Sequence, residues 1–352
     1  MIKLPAKHIL AKLEEREKFQ NVLLEWYDQA QRQLPWRTDP SLYKTVVSEF
    51  MLQQTRVSTV LPYFKNWLEK FPDFHALAQA KEEEVLKGWE GLGYYSRAKN
   101  LHQLSRIVST WKFIPTDLQS WLSLPGVGPY IASAVTSISF NQPQAVCDGN
   151  VVRVLTRIFA YGESFKDGAS VQKKISPLAT QILNHQRPGD YNQAVMELGA
   201  TVCHRQSPLC TICPVYHFCR CGKQGDPENF PVLAKKKKSY QKVTRFWIEK
   251  EGAILLQKPQ NKGTRMAGIY ELPQNIESEV SSKGKFLAVR KRTIGQVEYE
   301  ESIHQFSLSP NCDLKKKCLE WIQWEKLNEI TLSGPHRKWI IEIKSTNFKF
   351  KI

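Results

Sequence analysis

No run of apolar residues in this chain approaches the ~18 that a membrane-crossing helix needs, so a helical membrane protein is excluded. A secretory leader is not expected either: Glu14, Glu15 and Glu17 fall where its apolar stretch would lie. Cysteine is scarce, with eight in 352 residues, and four of these crowd into 203–219. That excludes a disulfide framework and makes a reducing, cytoplasmic compartment the expected one. Acidic residues are in deficit, 34 Asp+Glu against 50 Lys+Arg, for a net charge of +16. Such a chain favours a polyanionic partner, nucleic acid above all, because neutralising phosphates releases condensed counterions. On charge alone, a protein that merely happens to be basic fits equally well.

What is present suffices for two packed cores: 41% of residues are hydrophobic and 24% charged. Residues 1 to about 222 read as nearly all helical. Phe19, Val22, Leu23 and Trp26 recur at helical spacing. Asp39-Pro40 reads as a cap followed by proline at the first helical position, opening a helix through Val46, Val47, Phe50 and Met51. Ser96 is the expected cap of a helix carrying Ala98, Leu101, Leu104, Val108 and Trp111, and Asp190 that of the segment reaching Cys203. Residues 223–241 hold two prolines, the Lys235–Lys238 run and no apolar periodicity, and read as a linker. The lysine run is either a solvated segment or a crossing of a DNA backbone. Beyond it, Arg245–Gln257 reads as two strands around Glu251-Gly252, Gly268–Pro273 as a short strand, Ser302–Pro310 as another and Leu319–Ile330 as a helix. This is a separate, smaller α+β domain.

The sharpest chemical signal is Cys203-x6-Cys210-x2-Cys213-x5-Cys219. Four thiolates in one short loop can enclose a tetrahedral zinc or a cubane cluster, and spacing alone leans slightly towards zinc. Cys147, Cys221, Cys312 and Cys318 lack a partner pattern and read as ordinary thiols. The second signal is Leu124-Pro-Gly-Val-Gly-Pro-Tyr130 between two helical segments. Gly126 and Gly128 permit backbone closed to other residues and clear side chains from a phosphate's path. Pro129 then opens a helix whose free amides favour an anion. Such a hairpin grips DNA without reading sequence; a plain helix–turn–helix linker is the alternative.

The LPGVG hairpin, the Asp148-Gly-Asn150 step after it and the four-cysteine loop occur in the order of the helix–hairpin–helix DNA glycosylase superfamily. Within it, Leu34–Arg37 (LPWR), Ser48–Thr55 (SEFMLQQT) and Gly91–Tyr95 (GLGYY) resemble the adenine DNA glycosylases of the MutY family, over roughly residues 17–220. The resemblance implies a [4Fe–4S] cluster on Cys203, Cys210, Cys213 and Cys219. It implies a mainly α catalytic region over 1–222: a six-helix barrel of 28–141 and an iron–sulfur lobe of 1–27 with 142–222. A linker at 223–241 and a Nudix-like lesion-recognition domain at 242–352 would follow. The implied partner is double-stranded DNA carrying adenine opposite 8-oxoguanine or guanine, bound by a monomer, nucleoid-associated if the source is bacterial.

The resemblance also assigns residues. Glu49, mid-helix beside Phe50 and Met51, reads as a rim glutamate or, bordering an apolar face, as a carboxyl with a raised pKa. The family makes it the general acid on N7 of a flipped adenine, worth ~10²–10⁴ in rate. Asp148 reads as an N-cap held ionised by its helix, which suits it to face an oxocarbenium-like sugar, with Asn150 orienting it. Tyr130 stands where strand-cutting members place a Schiff-base lysine, so base removal without efficient strand cleavage is expected; its hydroxyl is free to contact Asp148 or the intermediate. Arg32, Leu34 and Trp36 are implied for the adenine pocket, or form a packed Leu–Trp pair. Gln54 resembles the wedge that fills the gap, and Tyr94 the residue inserted beside the opposite lesion. Arg265–Pro273 is similar to the family's second-domain element, while no Nudix glutamate box follows Pro273. The family's Phe-Ser-His strand turn has no intact copy; Ser302, His304, Phe306 and Ser307 are its candidates. A glycosylase/lyase for oxidised pyrimidines and a non-catalytic, metal-stabilised DNA binder are the rivals.

Overall fold

The computed structural model describes residues 8–234, 239–259, 268–280, 284–315 and 317–349, so the Lys235–Lys238 run and Arg265–Ala267 lie outside the described residues. The helices are α1 (Leu13–Ala30), α2 (Pro35–Thr38), α3 (Leu42–Leu52), α4 (Val57–Lys70), α5 (Phe74–Gln79), α6 (Glu82–Gly88), α7 (Ser96–Val108), α8 (Leu118–Leu122), α9 (Pro129–Phe140), α10 (Gly149–Phe159), α11 (Gly168–Gln181), α12 (Pro188–Thr201), α13 (Arg220–Gln224) and α14 (Gly334–Lys349). The strands are β1 (Ser239–Trp247), β2 (Glu249–Lys250), β3 (Ala253–Gln257), β4 (Lys285–Ile294), β5 (Val297–Gln305) and β6 (Leu319–Gln323). The chain forms two compact units, 1–53 with 107–235 and 54–106 with 236–352.

In the first unit α12 packs against α1, α9 and α10, and α3 lies along α9. Apolar residues repeat at three- and four-residue steps. Phe19, Leu23 and Tyr27 of α1 and Val151, Val154, Leu155 and Ile158 of α10 are buried in one core with Leu198 of α12. Burying each such aliphatic side chain stabilises by about 1.5–3 kcal/mol, and Leu155→Ala would cost roughly 2–5 kcal/mol. Helix entrances differ from expectation by a few residues. Ser41, not Asp39, caps α3, its side chain accepting from Lys44 N, while Asp39 pairs with the Lys44 ammonium. Asp190 lies inside the first turn of α12 and pairs with Arg187 instead of capping. α7 ends at Val108, short of Trp111, whose ring packs edge-on to Trp121 at 5.6 Å. The stretch after α13 stays tied to this unit: Phe165 N donates to Val232 O (2.9 Å) and Ala234 N to Phe165 O (2.8 Å).

The second unit carries two three-stranded sheets, ordered β1-β5-β4 and β2-β3-β6, with β1 parallel to β5. The expected turn at Glu251-Gly252 is present, both residues having positive φ (50° and 75°), the geometry of a tight hairpin. Tyr270 and Glu271 make isolated bridges and not a strand. Leu319–Gln323, expected as helix, is β6: it pairs antiparallel with β3 and then passes into a 3-10 turn at Trp324–Asn328. Leu319 and Ile322 are buried three positions apart, a spacing that a helix shares, and it is the pairing with β3 that makes the segment a strand. Among the described residues no helix is long and apolar enough to cross a membrane.

Candidate active site

Glu49 lies on α3 and is only 5% exposed. Tyr130, in the first turn of α9, donates its hydroxyl to Glu49 Oε2. Burial pushes the Glu49 carboxyl up to about 7; the negative charge of Asp148 adds to the rise, while the Tyr130 hydroxyl and Arg37 oppose it. A carboxyl in this setting holds a proton near neutrality and can deliver it.

Asp148 is fixed from both sides. On the entering side, Asn192 of α12 clamps the chain: its Oδ1 accepts from Val146 N (3.0 Å) and its Nδ2 donates to Gln144 O (2.8 Å) and Ser137 Oγ (2.9 Å). On the leaving side Asp148 caps α10, Oδ1 accepting from Val151 N (2.8 Å), and Asn150 Nδ2 donates to Oδ2 (2.9 Å). Arg153 continues the chain of bonds, with Nη2 donating to Asn150 Oδ1 (2.8 Å) and Gly199 O (2.7 Å), and Nε to Cys203 O (2.8 Å). Gly199 permits this contact, because a Cβ there would fall 2.6 Å from Asn150 Cβ.

Two expectations need correction. Burial raises the Asp148 pKa; the bonds from Val151 and Asn150 oppose that rise without reversing it, so the helix cap alone does not set its charge. The Tyr130 hydroxyl, expected against Asp148 or the intermediate, donates to Glu49. The two acids still differ in kind: Asp148 takes two N–H donors that favour its anion, whereas Glu49 takes one hydroxyl. These donors favour the anion of Asp148 more than that of Glu49.

Arg32 is committed to Glu197, through Nε (2.6 Å), Nη2 (2.8 Å) and its own backbone N (3.1 Å). Arg37 Nη1 lies 3.0 Å from the same carboxylate. Burial alone would raise the Glu197 pKa, but Arg32 and Arg37 overcome it and hold it low. Leu34 and Trp36 are both buried, and the Leu34 carbonyl accepts from Arg37 N (2.7 Å). The roles of Glu197, Asn192 and Arg153 escaped the sequence reading; the partners of Glu197 and Asn192, and Gly199 and Cys203 for Arg153, lie far away in the chain, so no local spacing announces them.

The hairpin runs from α8 to α9, with Pro129 at the first helical position as expected. Only Gly126 needs glycine for its backbone (φ 75°); Gly128 has an ordinary φ of −92°, and a Cβ there would meet nothing within 4 Å. Its value is the bare surface it leaves before an α9 N-terminus that has no side-chain cap.

Cys203, Cys210, Cys213 and Cys219 line one cavity with Arg157 and Gly222. Arg157 Nη1 donates to Cys203 Sγ (3.2 Å) and Gly222 N to Cys219 Sγ (3.3 Å), bonds that suit thiolate sulfur. Among the described residues no group of three or more His, Cys, Asp or Glu is set to hold a metal ion.

In the second unit Gln54 and Tyr94 are exposed, and both have left-handed backbones (φ 56° and 48°). Ser302 and His304 lie within β5 instead of a turn; the β4–β5 turn is at Gly295-Gln296. Phe306 follows β5, its ring 4.8 Å from Phe246 and 6.3 Å from His304, and Ser307 is exposed. Phe286, pairing with His304 across the strands at 5.5 Å between rings, joins this aromatic file unannounced by the sequence.

The family model of the HhH-GPD superfamily of base excision DNA repair proteins matches residues 47–179. An adenine DNA glycosylase of Buchnera aphidicola subsp. Schizaphis graminum is 30% identical over 323 residues, covering 91% of this chain and 81% of that protein. The chain belongs to the adenine DNA glycosylase family. The human adenine DNA glycosylase is 44% identical over 232 residues, covering 63% of this chain and 42% of the human protein. The chain thus spans about two fifths of the length of its mammalian relatives. A thermostable thymine-DNA glycosylase is similar in structure, with a TM-score of 0.52 at 25% identity over 60% of this chain and 98% of that one. An endonuclease III solved in a non-covalent DNA complex gives 0.51 at 22% over 61% and 98%. This adenine DNA glycosylase relative therefore has the mainly helical HhH-GPD fold of endonuclease III with a smaller, sheet-containing C-terminal region.

Proposed function

We propose that the chain excises adenine from DNA, opposite 8-oxoguanine or guanine, by hydrolysing the N-glycosidic bond. The observation that carries this reading is the buried Glu49, pushed up to about 7 beside Asp148 and the Tyr130 hydroxyl. Glu49 gives its proton to N7 of the extruded adenine. The C1′–N9 bond breaks with its electron pair leaving on the base, and Asp148 stabilises the sugar cation. Water adds to C1′, and its proton returns to the carboxyl pair, which begins and ends the cycle with one proton. Tyr130 stabilises the Glu49 anion between those steps, and having no amine it forms no Schiff base.

Arg32, Leu34 and Trp36 help shape the base pocket, with Arg32 acting through Glu197. Gln54 and Tyr94 enter the duplex, the Gly126–Pro129 turn holds backbone phosphate, and Ser302, His304, Phe306 and Ser307 contribute to lesion recognition. The same reading divides the chain into a six-helix barrel (28–141), a cluster lobe (1–27 with 142–222), a linker (223–241) and a Nudix-like domain (242–352), acting as a monomer in the cytoplasm. The four cysteines would hold a [4Fe–4S] cluster. Four sulfurs lining one cavity, with N–H donors on two of them, fit such a cluster. When bound it supplies a rigid staple for the 203–219 loop, and no step of the hydrolysis needs it.

Single-turnover cleavage of duplexes with A opposite 8-oxoguanine, G, C or T, with and without alkali, tests the reading. Adenine release opposite 8-oxoguanine and G, with strand breaks only after alkali, is expected. Undiminished cleavage by Glu49→Gln would remove the mechanism, and strand breaks without alkali would favour the glycosylase/lyase.

A further inference from the structure

Gln54 and Tyr94 sit in separate turns, Gln53–Arg56 and Gly91–Tyr95, and both hold a left-handed backbone that side-chain-bearing residues seldom adopt. Something must stabilise these two exposed tips in that form. One element common to both is Arg97 in the first turn of α7, which is 6% exposed. Its Nη2 lies 3.2 Å from Thr55 Oγ1 in the first turn, and 3.1 Å from both Leu92 O and Gly93 O in the second. The guanidinium carbon stands 5.5 Å from the Tyr94 ring centroid and 5.2 Å from that of Trp89, whose Nε1 donates to Gly93 O (3.0 Å). One buried planar cation thus bonds both turns and lies against the Tyr94 ring.

We infer that Arg97 is a positioning residue that sets the stance of Gln54 and Tyr94 as a paired DNA-inserting probe. The inference rests on the proposed role of those two residues in DNA. It adds that their geometry is held jointly, through one guanidinium, so that loosening either turn disturbs the other. A lysine keeps the charge but not the planar guanidinium that stands near the Tyr94 and Trp89 rings while its Nη2 bonds both turns.

Extrusion can be followed by the fluorescence of 2-aminopurine placed opposite 8-oxoguanine in a duplex, with the full chain carrying Glu49→Gln to block turnover. Gln54→Ala and Tyr94→Ala should each cut the fluorescence rise several-fold. Arg97→Lys should do the same, and so should Thr55→Val, a small change that keeps the test open if the arginine variant fails to fold. In a Gln54→Ala/Tyr94→Ala background, Thr55→Val and Arg97→Lys should have no further effect. A full fluorescence rise with Thr55→Val and Arg97→Lys, where Tyr94→Ala has lost it, overturns the role of Arg97. So does a further, additive loss in the double background, which marks a merely structural contribution. Normal extrusion by Gln54→Ala and Tyr94→Ala overturns instead the assignment of the probe itself.

Discussion

The Tyr130 hydroxyl and the Glu49 carboxyl are hydrogen-bonded partners, joining the first turn of the helix after the glycine hairpin to the last turn of α3. The turn that faces DNA backbone in the proposed function is therefore covalently next to the group that governs the catalytic proton.

The acid sets the pH dependence. Glu49 must be protonated to act, and its carboxyl is pushed up to about 7. Protonation of Asp148, whose pKa burial raises, gives an acid limb, and above about 7 the single-turnover rate should fall about tenfold per pH unit. Glu49→Gln should lose at least ~10²-fold in rate and show no such alkaline limb.

The same shift has a stability consequence of definite sign. A carboxyl raised from 4.5 to about 7 on folding favours the folded state fully below pH 4.5, and that contribution is lost as pH rises through 7. The loss is on the order of 3 kcal/mol. Denaturant unfolding should show Glu49→Gln gaining on the parent between pH 5 and pH 8, while equal curves at both would contradict the shift (pH values about those of the titration).

Tyr130→Phe removes a hydroxyl donor to Glu49. Because that hydroxyl lowers the Glu49 pKa, the alkaline limb should move to higher pH in the variant. A leftward move, measured in the same single-turnover profile, would mean the hydroxyl acts on Asp148 after all.

Gly199→Ala places a methyl 2.6 Å from Asn150 Cβ. Asn150 must shift, taking with it the bond to Asp148. Overpacking of this kind costs roughly 1–3 kcal/mol. The rate should fall by about ten- to a hundred-fold, as for a misplaced reacting group, while affinity for duplex holding an abasic-site analogue stays within a few-fold. Parallel loss of both would point to general unfolding.

Glu301 of the second unit is fully buried against Arg245 Nε (2.6 Å) and pairs with Arg292. Glu301→Gln leaves positive charge stranded, and should cost about 3–5 kcal/mol in urea unfolding. Glu271 beside it is held at about 2, burial working the other way and His336, Arg292 and Arg245 overriding it. Its stabilising share is complete above about pH 4.5 and disappears as pH falls through about 2.

How much of this was legible in the chain depends on range. Helix type, the Pro129 start, the Asp148 cap and the Asn150 bond depend on neighbours within a few residues, and spacing exposes them. The shift of the α3 cap to Ser41 is a matter of two positions among several capping residues. Leu319–Gln323 turned to strand because β3, more than sixty positions earlier, offered an edge. The Asp148 pKa could not be read from its cap, since burial is a property of the folded surroundings. Glu197, Asn192 and Arg97 act through partners remote in sequence or shared between turns, and composition gives them no signature.

The balanced ionic group of Arg245, Glu271, Arg292 and Glu301 has an evolutionary corollary. Any lone change of sign leaves an unmatched charge in a dry interior, so these positions can drift only in compensating pairs. Descendants of this chain should keep all four together or replace them jointly with apolar residues, leaving few viable intermediates along the way.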